Sequence, residues 1–263
     1  MAKGRPKVEL RDIGLRYYTR AGEVEALRGI TLDVAPGEFV SIVGPSGCGK
    51  STLLSLVAGI LKPTAGKVLI DGKPVSGPST TCGYMLQHDH LFGWRSILDN
   101  VLLGPEIQGT DRAAARQYGL QLLGRYGLAD FVDHYPHQLS GGMRQRAALA
   151  RTLCTRPEVL LLDEPFSALD YQTRLAISDE IGLILRGEGK TVILVTHDIS
   201  EAISMTDRVI VLGRRPGHVK SEHRIAFPSV PGGRPAPFAA RSAAEFGDYF
   251  KVIWEELDVH VAA

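Results

Sequence analysis

A glycine-rich turn, GPSGCGKS at positions 44–51, constrains the fold more than any other feature of the sequence. It follows a largely apolar segment at 38–43 that predicts a buried strand, and it leads into KSTLLSLVA at 50–58, whose composition favours a helix. This context is the one that the phosphate-binding loop (P-loop) pattern G-x-x-x-x-G-K-[ST] requires. Its small residues let backbone N–H groups surround phosphates at a helix N-terminus. The sequence therefore predicts a nucleotide site.

Two polar side chains end this turn. Lys50 supplies a point charge to the phosphates, and Ser51 supplies a hydroxyl ligand for Mg²⁺. The alternative is a purely structural glycine-rich turn. The intact Lys-Ser pair and the flanking strand and helix favour phosphate binding.

The size and charge of the chain limit what it can be. Its 263 residues, 44% of them apolar, suffice to bury an α/β core as one domain with an inserted subdomain. Thirty basic residues against 29 acidic ones give a formal net charge of +1, which argues against nucleic acid as a main partner. Three cysteines without metal-ligand spacing are expected to be reduced thiols: Cys48, Cys82 and Cys154.

The sequence predicts neither a membrane span nor a secretory signal. The longest nearly apolar run, 53–61, has roughly half of the ~20 residues that cross a bilayer. Residues 1–7 are basic but lead into a charged segment and not into an apolar one. We therefore expect a cytosolic location.

Apolar periodicity predicts an antiparallel start, a parallel core and a helical insertion. Strands are predicted at 8–18, 24–34, 38–43, 159–162, 191–195 and 209–212, with a hairpin at 67–75 that turns at Asp71-Gly72. Helices are predicted within an inserted subdomain at 97–154, at 172–186, and at 246–257 after a Pro- and Gly-rich segment at 227–238. The unbroken apolar runs at 159–162 and 191–195 are typical of parallel strands covered on both faces.

The strand at 159–162 ends in two carboxylates. Because side chains alternate along a strand, Asp163 and Glu164 cannot both face a metal ion equally. Asp163 fits the metal side of a phosphoryl-transfer site, and Glu164 is left to orient or deprotonate the attacking water. The alternative is a solvated acidic turn.

LSGGMRQ at 139–145 opens another predicted helix. Ser140 is a good N-cap, and the two glycines after it leave amide groups uncovered, which predicts a second anion site. One chain with two such sites indicates either two ligands or two chains that share ligands, and a plain N-cap is the remaining alternative.

Six motifs in this order resemble the ATP-binding cassette (ABC) ATPase family. They are the P-loop, Gln87, LSGGMRQR at 139–146, LLLDEP at 160–165, SALD at 167–170 and THD at 196–198. The resemblance covers about residues 8–215. It implies an α/β fold: a P-loop NTPase (RecA-like) core with an N-terminal antiparallel β-subdomain and an inserted α-helical subdomain. The implied ABC ATPase domain spans 1–225, with the helical subdomain at about 90–155, and 226–263 forms a linker and an amphipathic helix.

The resemblance further implies a head-to-tail dimer that holds two ATP molecules with Mg²⁺ at its interface. Ser140, Gly141 and Gly142 of one subunit cap the γ-phosphate bound by the other, and Asp170 reaches across the dimer. His197 bonds to the γ-phosphate and holds the water beside Glu164. The phosphates are then held by Gly44, Pro45, Ser46, Gly47, Cys48, Gly49, Lys50, Ser51 and Thr52.

Three further features of the family concern the metal ion, the membrane subunit and the adenine base. Gln87 resembles the glutamine that touches Mg²⁺ or the attacking water, so the implied metal ligands are Ser51, Gln87 and Asp163. The segment 88–94 would contact a membrane subunit; an ordinary strand end and a metal motif at His88-Asp89-His90 are the alternatives. Tyr17 aligns best with the aromatic residue that stacks on adenine, and Tyr18 is the fallback.

Within the family, residues 163–174 and 196–219 look most like the importer branch for nitrate, sulfonate, taurine, bicarbonate and thiamine precursors. This chain has Ser167 at a position where that branch often has Gly. This branch implies permease subunits, a second ATPase subunit (identical or paralogous), an extracytoplasmic solute-binding protein, and a peripheral place on the cytoplasmic face of the cell membrane. The alternative is a non-transport ABC ATPase of the regulatory, translation-linked or DNA-repair type.

Overall fold

The computed structural model describes residues 5–20, 22–167, 169–232 and 234–257. Some residues of the predicted motifs and segments therefore lie outside the described residues. They are Ala168 of the SALD motif, Gly233 of the predicted linker, and the chain ends at 1–4 and 258–263. The chain forms two compact units. The first unit comprises Met1–Ser79 and Ser178–Ala263, and the second unit is Thr80–Ile177.

The strands of the described residues are β1 (Val8–Thr19), β2 (Gly22–Val34), β3 (Phe39–Val43), β4 (Ala65–Ile70), β5 (Lys73–Pro74), β6 (Cys82–Met85), β7 (Val159–Asp163), β8 (Thr191–Val195), β9 (Arg208–Leu212) and β10 (Val219–Arg224). The helices are α1 (Lys50–Val57), α2 (Ile97–Val101), α3 (Leu103–Gln108), α4 (Arg112–Arg125), α5 (Gly141–Cys154), α6 (Tyr171–Gly187), α7 (Ile199–Met205), α8 (Pro237–Ala240) and α9 (Phe246–Glu256). Short 3₁₀ turns lie at Ala129–Phe131 and Pro136–Gln138.

The first unit begins with an antiparallel sheet in the order β2-β1-β4-β5. Leu10 faces Leu32 and Ile13 faces Ile30 across the β1–β2 pair, and all four side chains are buried. The β4–β5 hairpin turns at Asp71 and Gly72, whose φ values of 50° and 68° are those of a tight hairpin turn. The predicted antiparallel start and hairpin are confirmed.

The same unit holds a second sheet, in which neighbouring strands follow the order β10-β9-β3-β8. β3 pairs in parallel with β8 on one side and with β9 on the other. Every residue of β3 and β8 is buried, as the unbroken apolar runs predict. Parallel pairing brings the carboxyl ends of these strands, and the loops after them, to one edge.

The edge strand β10 was not among the sequence predictions. It pairs antiparallel with β9, and its residues alternate between half-buried and exposed. Lys220, Glu222 and Arg224 give it the charged face by which proteins protect a sheet edge.

The second unit combines a short parallel strand pair with helices. β6 and β7 pair in parallel, and α5 packs against α2, α3 and α4. Buried Leu122, Leu123 and Tyr126 of the α4 end, with Leu149 and Leu153 of α5, supply apolar side chains to this unit. The predicted helical insertion between two strand regions is confirmed.

The last helix, α9, packs on the first unit as an amphipathic helix. Its buried residue Ile253 joins a cluster that includes Val209, Val211, Ile203 and Phe227. Among the described residues, none of the helices combines the length and the apolar character needed to cross a bilayer.

Candidate nucleotide-binding site

The P-loop lies between β3 and α1 in the first unit. Lys50, only 7% exposed, folds back over its own turn. Its Nζ donates to the carbonyl oxygens of Gly44 (2.8 Å) and Pro45 (3.1 Å). Ser46 and Gly47, at the middle of the turn, are exposed. The turn therefore holds an ammonium group at its centre and leaves its outer backbone accessible, which fits a phosphate.

Close packing explains the small residues of this turn. A Cβ atom on Gly49, where φ is 101°, would lie 2.5 Å from Leu27 Cδ2, and one on Gly44 would lie 2.8 Å from Cys48 Sγ. Burial raises the pKa of the Cys48 thiol, although nearby Lys50 opposes the shift. Cys48 therefore packs as a neutral side chain, and only its backbone is suited to a phosphate.

His197 lies at the same edge of the sheet as the P-loop. Ile42 of β3 pairs with Val195 of β8, and the amide of Thr196 donates to the Ile42 carbonyl oxygen over 3.3 Å. The following turn is fixed by Thr196, whose buried hydroxyl donates to Glu201 Oε2 over 2.9 Å. His197 itself is exposed at this edge.

The two tyrosines at the end of β1 have different surroundings. The Tyr17 hydroxyl lies 3.4 Å from Thr52 Oγ1 in α1, so its ring is beside the P-loop helix. Tyr18 is 77% exposed against 39% for Tyr17, and it lines a separate cavity with Asp12 and Gly14. The geometry favours Tyr17 as the aromatic partner of a base.

The acidic pair and Gln87 come together in the second unit. Met85 of β6 pairs with Leu162 of β7, so Gln87 and Glu164, each two residues further on, follow neighbouring strand ends. Gln87 Nε2 donates to Glu164 Oε2 over 3.1 Å. Glu164 has a φ of 46°, a left-handed conformation that is unusual outside glycine and common at functional sites.

Asp163 is more enclosed than Glu164. It is buried, and the Tyr84 hydroxyl donates to its Oδ2 over 3.2 Å. The two adjacent carboxylates thus have different surroundings, as strand alternation predicts. The sequence analysis missed Tyr84, because the short strand β6 that carries it was not predicted.

Ser140 begins α5 as the predicted N-cap. Its Oγ accepts from the Met143 amide over 3.3 Å, while the side chain remains exposed. A Cβ on Gly142 would lie 2.6 Å from Ile177 Cδ1, whereas one on Gly141 would make only an ordinary contact of 3.7 Å. The exposed helix start therefore offers uncovered backbone at Ser140 and Gly141.

Asp170 also begins a helix. Its Oδ1 accepts from the Thr173 amide over 3.0 Å, ahead of α6. Hydrogen bonds from Thr173 lower the pKa of the exposed Asp170 carboxyl, so it is ionised at neutral pH. Tyr17, the P-loop and His197 thus belong to the first unit, and the second unit carries Gln87, Ser140, Gly141, Gly142, Asp163, Glu164 and Asp170.

Comparisons with known proteins identify the family. A family model described as ABC transporter matches residues 27–167. The ABC transporter ATP-binding protein YtlC of Bacillus subtilis (strain 168) is 46% identical over 92% of each chain. The chain belongs to the ABC transporter family. It is an ABC-type ATPase, and the resemblance and fold class predicted from its motifs are confirmed.

Other members extend the comparison. The taurine import ATP-binding protein TauB of Roseobacter denitrificans is 40% identical over 84% of this chain and 82% of its own. Among solved structures, the ATP-binding cassette MJ0796, described as a dimer in a post-hydrolysis state bound to ADP and Pi, is 34% identical. It has a TM-score of 0.73 and covers 83% of this chain and 98% of its own.

In this ABC-family chain, the loop after Gln87 is a surface segment. Trp94 is 75% exposed, and its ring centroid lies 4.8 Å from the ring centroid of Phe92. An open cavity of about 500 Å³ borders it, lined by Trp94, Arg95, Tyr135 and residues of α2, α3 and α4. Among the described residues, no three His, Cys, Asp or Glu side chains are grouped as metal ligands, at His88-Asp89-His90 or elsewhere.

The turn after β9 is another feature that the sequence did not predict. A Cβ on Gly217 would lie 2.0 Å from the Cys48 carbonyl oxygen, and the Gly217 amide donates to the Ala26 carbonyl over 2.8 Å. Arg215 Nε donates to the Gly47 carbonyl over 3.3 Å. The turn therefore packs against the P-loop, and the only sequence signal for this contact is Gly217 in GRRPGH at 213–218.

Proposed function

We propose that this chain is the ATP-hydrolysing subunit of an importer for a small solute, working with separate membrane subunits. The observation that carries the proposal is the Lys50 ammonium group, held over the P-loop by the carbonyls of Gly44 and Pro45. Relatives named as taurine import ATP-binding proteins support the importer assignment.

ATP binds with its phosphates on the P-loop, residues 44–52, and its base against Tyr17. The oxygen donors of Ser51, Gln87 and Asp163 would hold Mg²⁺, which would neutralise phosphate charge.

Glu164 and His197 act on the attacking water. Glu164 accepts its proton, Gln87 orients the carboxylate through their hydrogen bond, and His197 bonds to the γ-phosphate. The left-handed backbone of Glu164 supports this assignment, because a side chain held at a local energetic cost is typical of a functional site.

Two copies, or this chain and a paralogue, form a head-to-tail dimer around ATP. Ser140, Gly141 and Gly142 of one subunit cap the γ-phosphate held by the other, and Asp170 approaches the partner's site. The exposed N-terminus of α5 supports this role, and so does the dimeric ADP- and Pi-bound state described for MJ0796.

The loop 88–94 contacts permease subunits, with Trp94 as its exposed aromatic residue. The chain then lies at the cytoplasmic face of the cell membrane, and an extracytoplasmic binding protein delivers the solute. Taurine-like sulfonates, nitrate and bicarbonate are the solute classes that the resemblance indicates. Residues 1–225 form the ATPase domain, with a helical subdomain at about 90–155, and 226–263 are its linker and terminal helix.

Copurification tests the proposal against a non-transport ATPase. Tagged chain isolated from membranes of its own organism should bring integral membrane subunits with it and should hydrolyse ATP with Mg²⁺. Recovery with ribosomes or DNA, and without membrane subunits, would favour the regulatory, translation-linked or DNA-repair alternative.

A further inference from the structure

Two arginines of α5 bind the loop that follows Gln87. Arg151 donates from Nη1 to the His90 carbonyl oxygen over 2.7 Å and from Nη2 to the Asp89 carbonyl oxygen over 2.6 Å. Arg144 donates from Nε to the Asp89 carboxylate over 3.0 Å. These charge-assisted bonds join two adjacent loop residues to one helix.

Arg144 also bonds to the segment that starts α5. Its Nη1 donates to the Leu139 carbonyl oxygen over 2.9 Å, directly before Ser140. A cation near a helix N-terminus is opposed by the helix dipole, and the first turn of α5 holds no acidic residue. Asp89 supplies the missing negative charge from the loop, so the two segments stabilise each other.

The loop itself is held in a constrained conformation. His90 has a φ of 44°, which is unfavourable for a residue with a side chain. Buried Asn100 of α2 fixes the other end, accepting from the Phe92 amide over 2.7 Å and donating to the Phe92 carbonyl over 3.1 Å. A loop fixed at both ends moves with its anchors rather than independently of them.

We infer that Asp89, Arg144 and Arg151 form a clamp that couples the ATP-facing start of α5 to the membrane-facing loop 88–94. Movement of the helix start on ATP binding displaces the loop, and displacement of the loop by a membrane subunit moves the helix start. The inference rests on the proposed function, which assigns ATP contact to Ser140 and membrane contact to the loop. The three residues are positioning residues that act through these two segments.

A single tryptophan in the loop can report this coupling. The chain has two tryptophans, Trp94 and Trp254, so Trp254→Phe leaves Trp94 as the sole reporter. In a Glu164→Gln background, which is expected to retain ATP, emission and iodide quenching of Trp94 are measured with ATP and Mg²⁺. ATP affinity and thermal unfolding are measured on the same samples.

The clamp predicts an ATP-dependent Trp94 signal whose amplitude falls at least about five-fold in Asp89→Asn and in Arg144→Gln. ATP affinity should remain within about two-fold. The double variant should lose no more of the Trp94 signal than either single variant, because both substitutions remove the same contact between Asp89 and Arg144. Arg144→Lys, which keeps the charge, should retain part of the signal. Arg116→Gln, an exposed arginine of α4, is the matched control and should leave the signal intact.

Two other outcomes would contradict the inferred clamp and leave the proposed function intact. A full Trp94 response in the Asp89 and Arg144 variants would show that these residues only stabilise the fold. An absent response in the parent chain, with ATP still bound, would show that the loop does not follow the helix. Loss of ATP binding in the parent chain would instead contradict the proposed function.

Discussion

The side-chain amide of Gln87 donates a hydrogen bond to the Glu164 carboxylate over 3.1 Å, joining the ends of two neighbouring parallel strands. The loop that continues from Gln87 is the one held by Arg144 and Arg151. The segment that we assign to membrane contact, 88–94, therefore begins directly after the residue that bonds to the carboxylate that we assign to catalysis.

Replacing Glu164 by Gln should separate binding from turnover. The amide cannot accept the proton of water, so the turnover number should fall by ~10² to 10⁴ while ATP binding persists. Steady-state hydrolysis and equilibrium ATP titration measure the two properties. Glu255→Gln, on the exposed side of α9, is the control and should hydrolyse ATP normally; unchanged turnover in Glu164→Gln would remove the assigned role.

Lys50→Ala should weaken nucleotide binding. The substitution removes a buried charge-assisted contact worth about 1.5 to 3 kcal/mol, so the dissociation constant for ATP should rise about ten- to 150-fold. Calorimetric titration with ATP measures the effect. The exposed lysine variant Lys62→Ala should bind like the parent chain, and equal affinities in both variants would contradict the P-loop assignment.

Tyr17→Ala and Tyr18→Ala distinguish the two candidates for adenine stacking. Loss of a stacked ring costs about 1 to 3 kcal/mol per base, so Tyr17→Ala should weaken ATP binding by about five-fold or more. Tyr18→Ala should stay within about two-fold, because that side chain lies in a separate cavity. A larger loss at Tyr18 would reverse the assignment.

Gly217→Ala should disturb the P-loop from outside the motif. Its Cβ would lie 2.0 Å from the Cys48 carbonyl oxygen, so backbone must shift at a cost of about 1 to 3 kcal/mol. Thermal unfolding should show a Tm lower by several degrees, together with weaker ATP binding. Gly247→Ala, where a Cβ would meet nothing within 4 Å, should leave both unchanged.

Local patterns predicted the elements whose conformation is set by nearby residues. The P-loop, the Asp71-Gly72 hairpin and the Ser140 cap each depend on a few consecutive residues, and each is present. β10 escaped prediction because its alternating charged face indicates a strand only once β9 is beside it. Sequence alone could not find the Tyr84–Asp163 bond or the Gly217 contact, since their partners are far apart along the chain.

The clamp shows the same limit at the functional site. The LSGGMRQR motif predicts a role for Ser140 and the two glycines after it. The role that we infer for Arg144 depends on its bond to Asp89, 55 positions earlier in the chain. A motif can predict which backbone groups bind a phosphate. It does not predict which neighbouring loop the remaining side chains of the motif contact.

Sedimentation of the Glu164→Gln chain with ATP and Mg²⁺ tests most directly whether one subunit's P-loop and another's Ser140 helix start enclose the nucleotide. The account predicts a shift from the 28.5 kDa single chain to a species of twice that mass, and its loss in Ser140→Arg while ATP still binds. A chain that stays single at saturating ATP, or a dimer indifferent to Ser140→Arg, would contradict it.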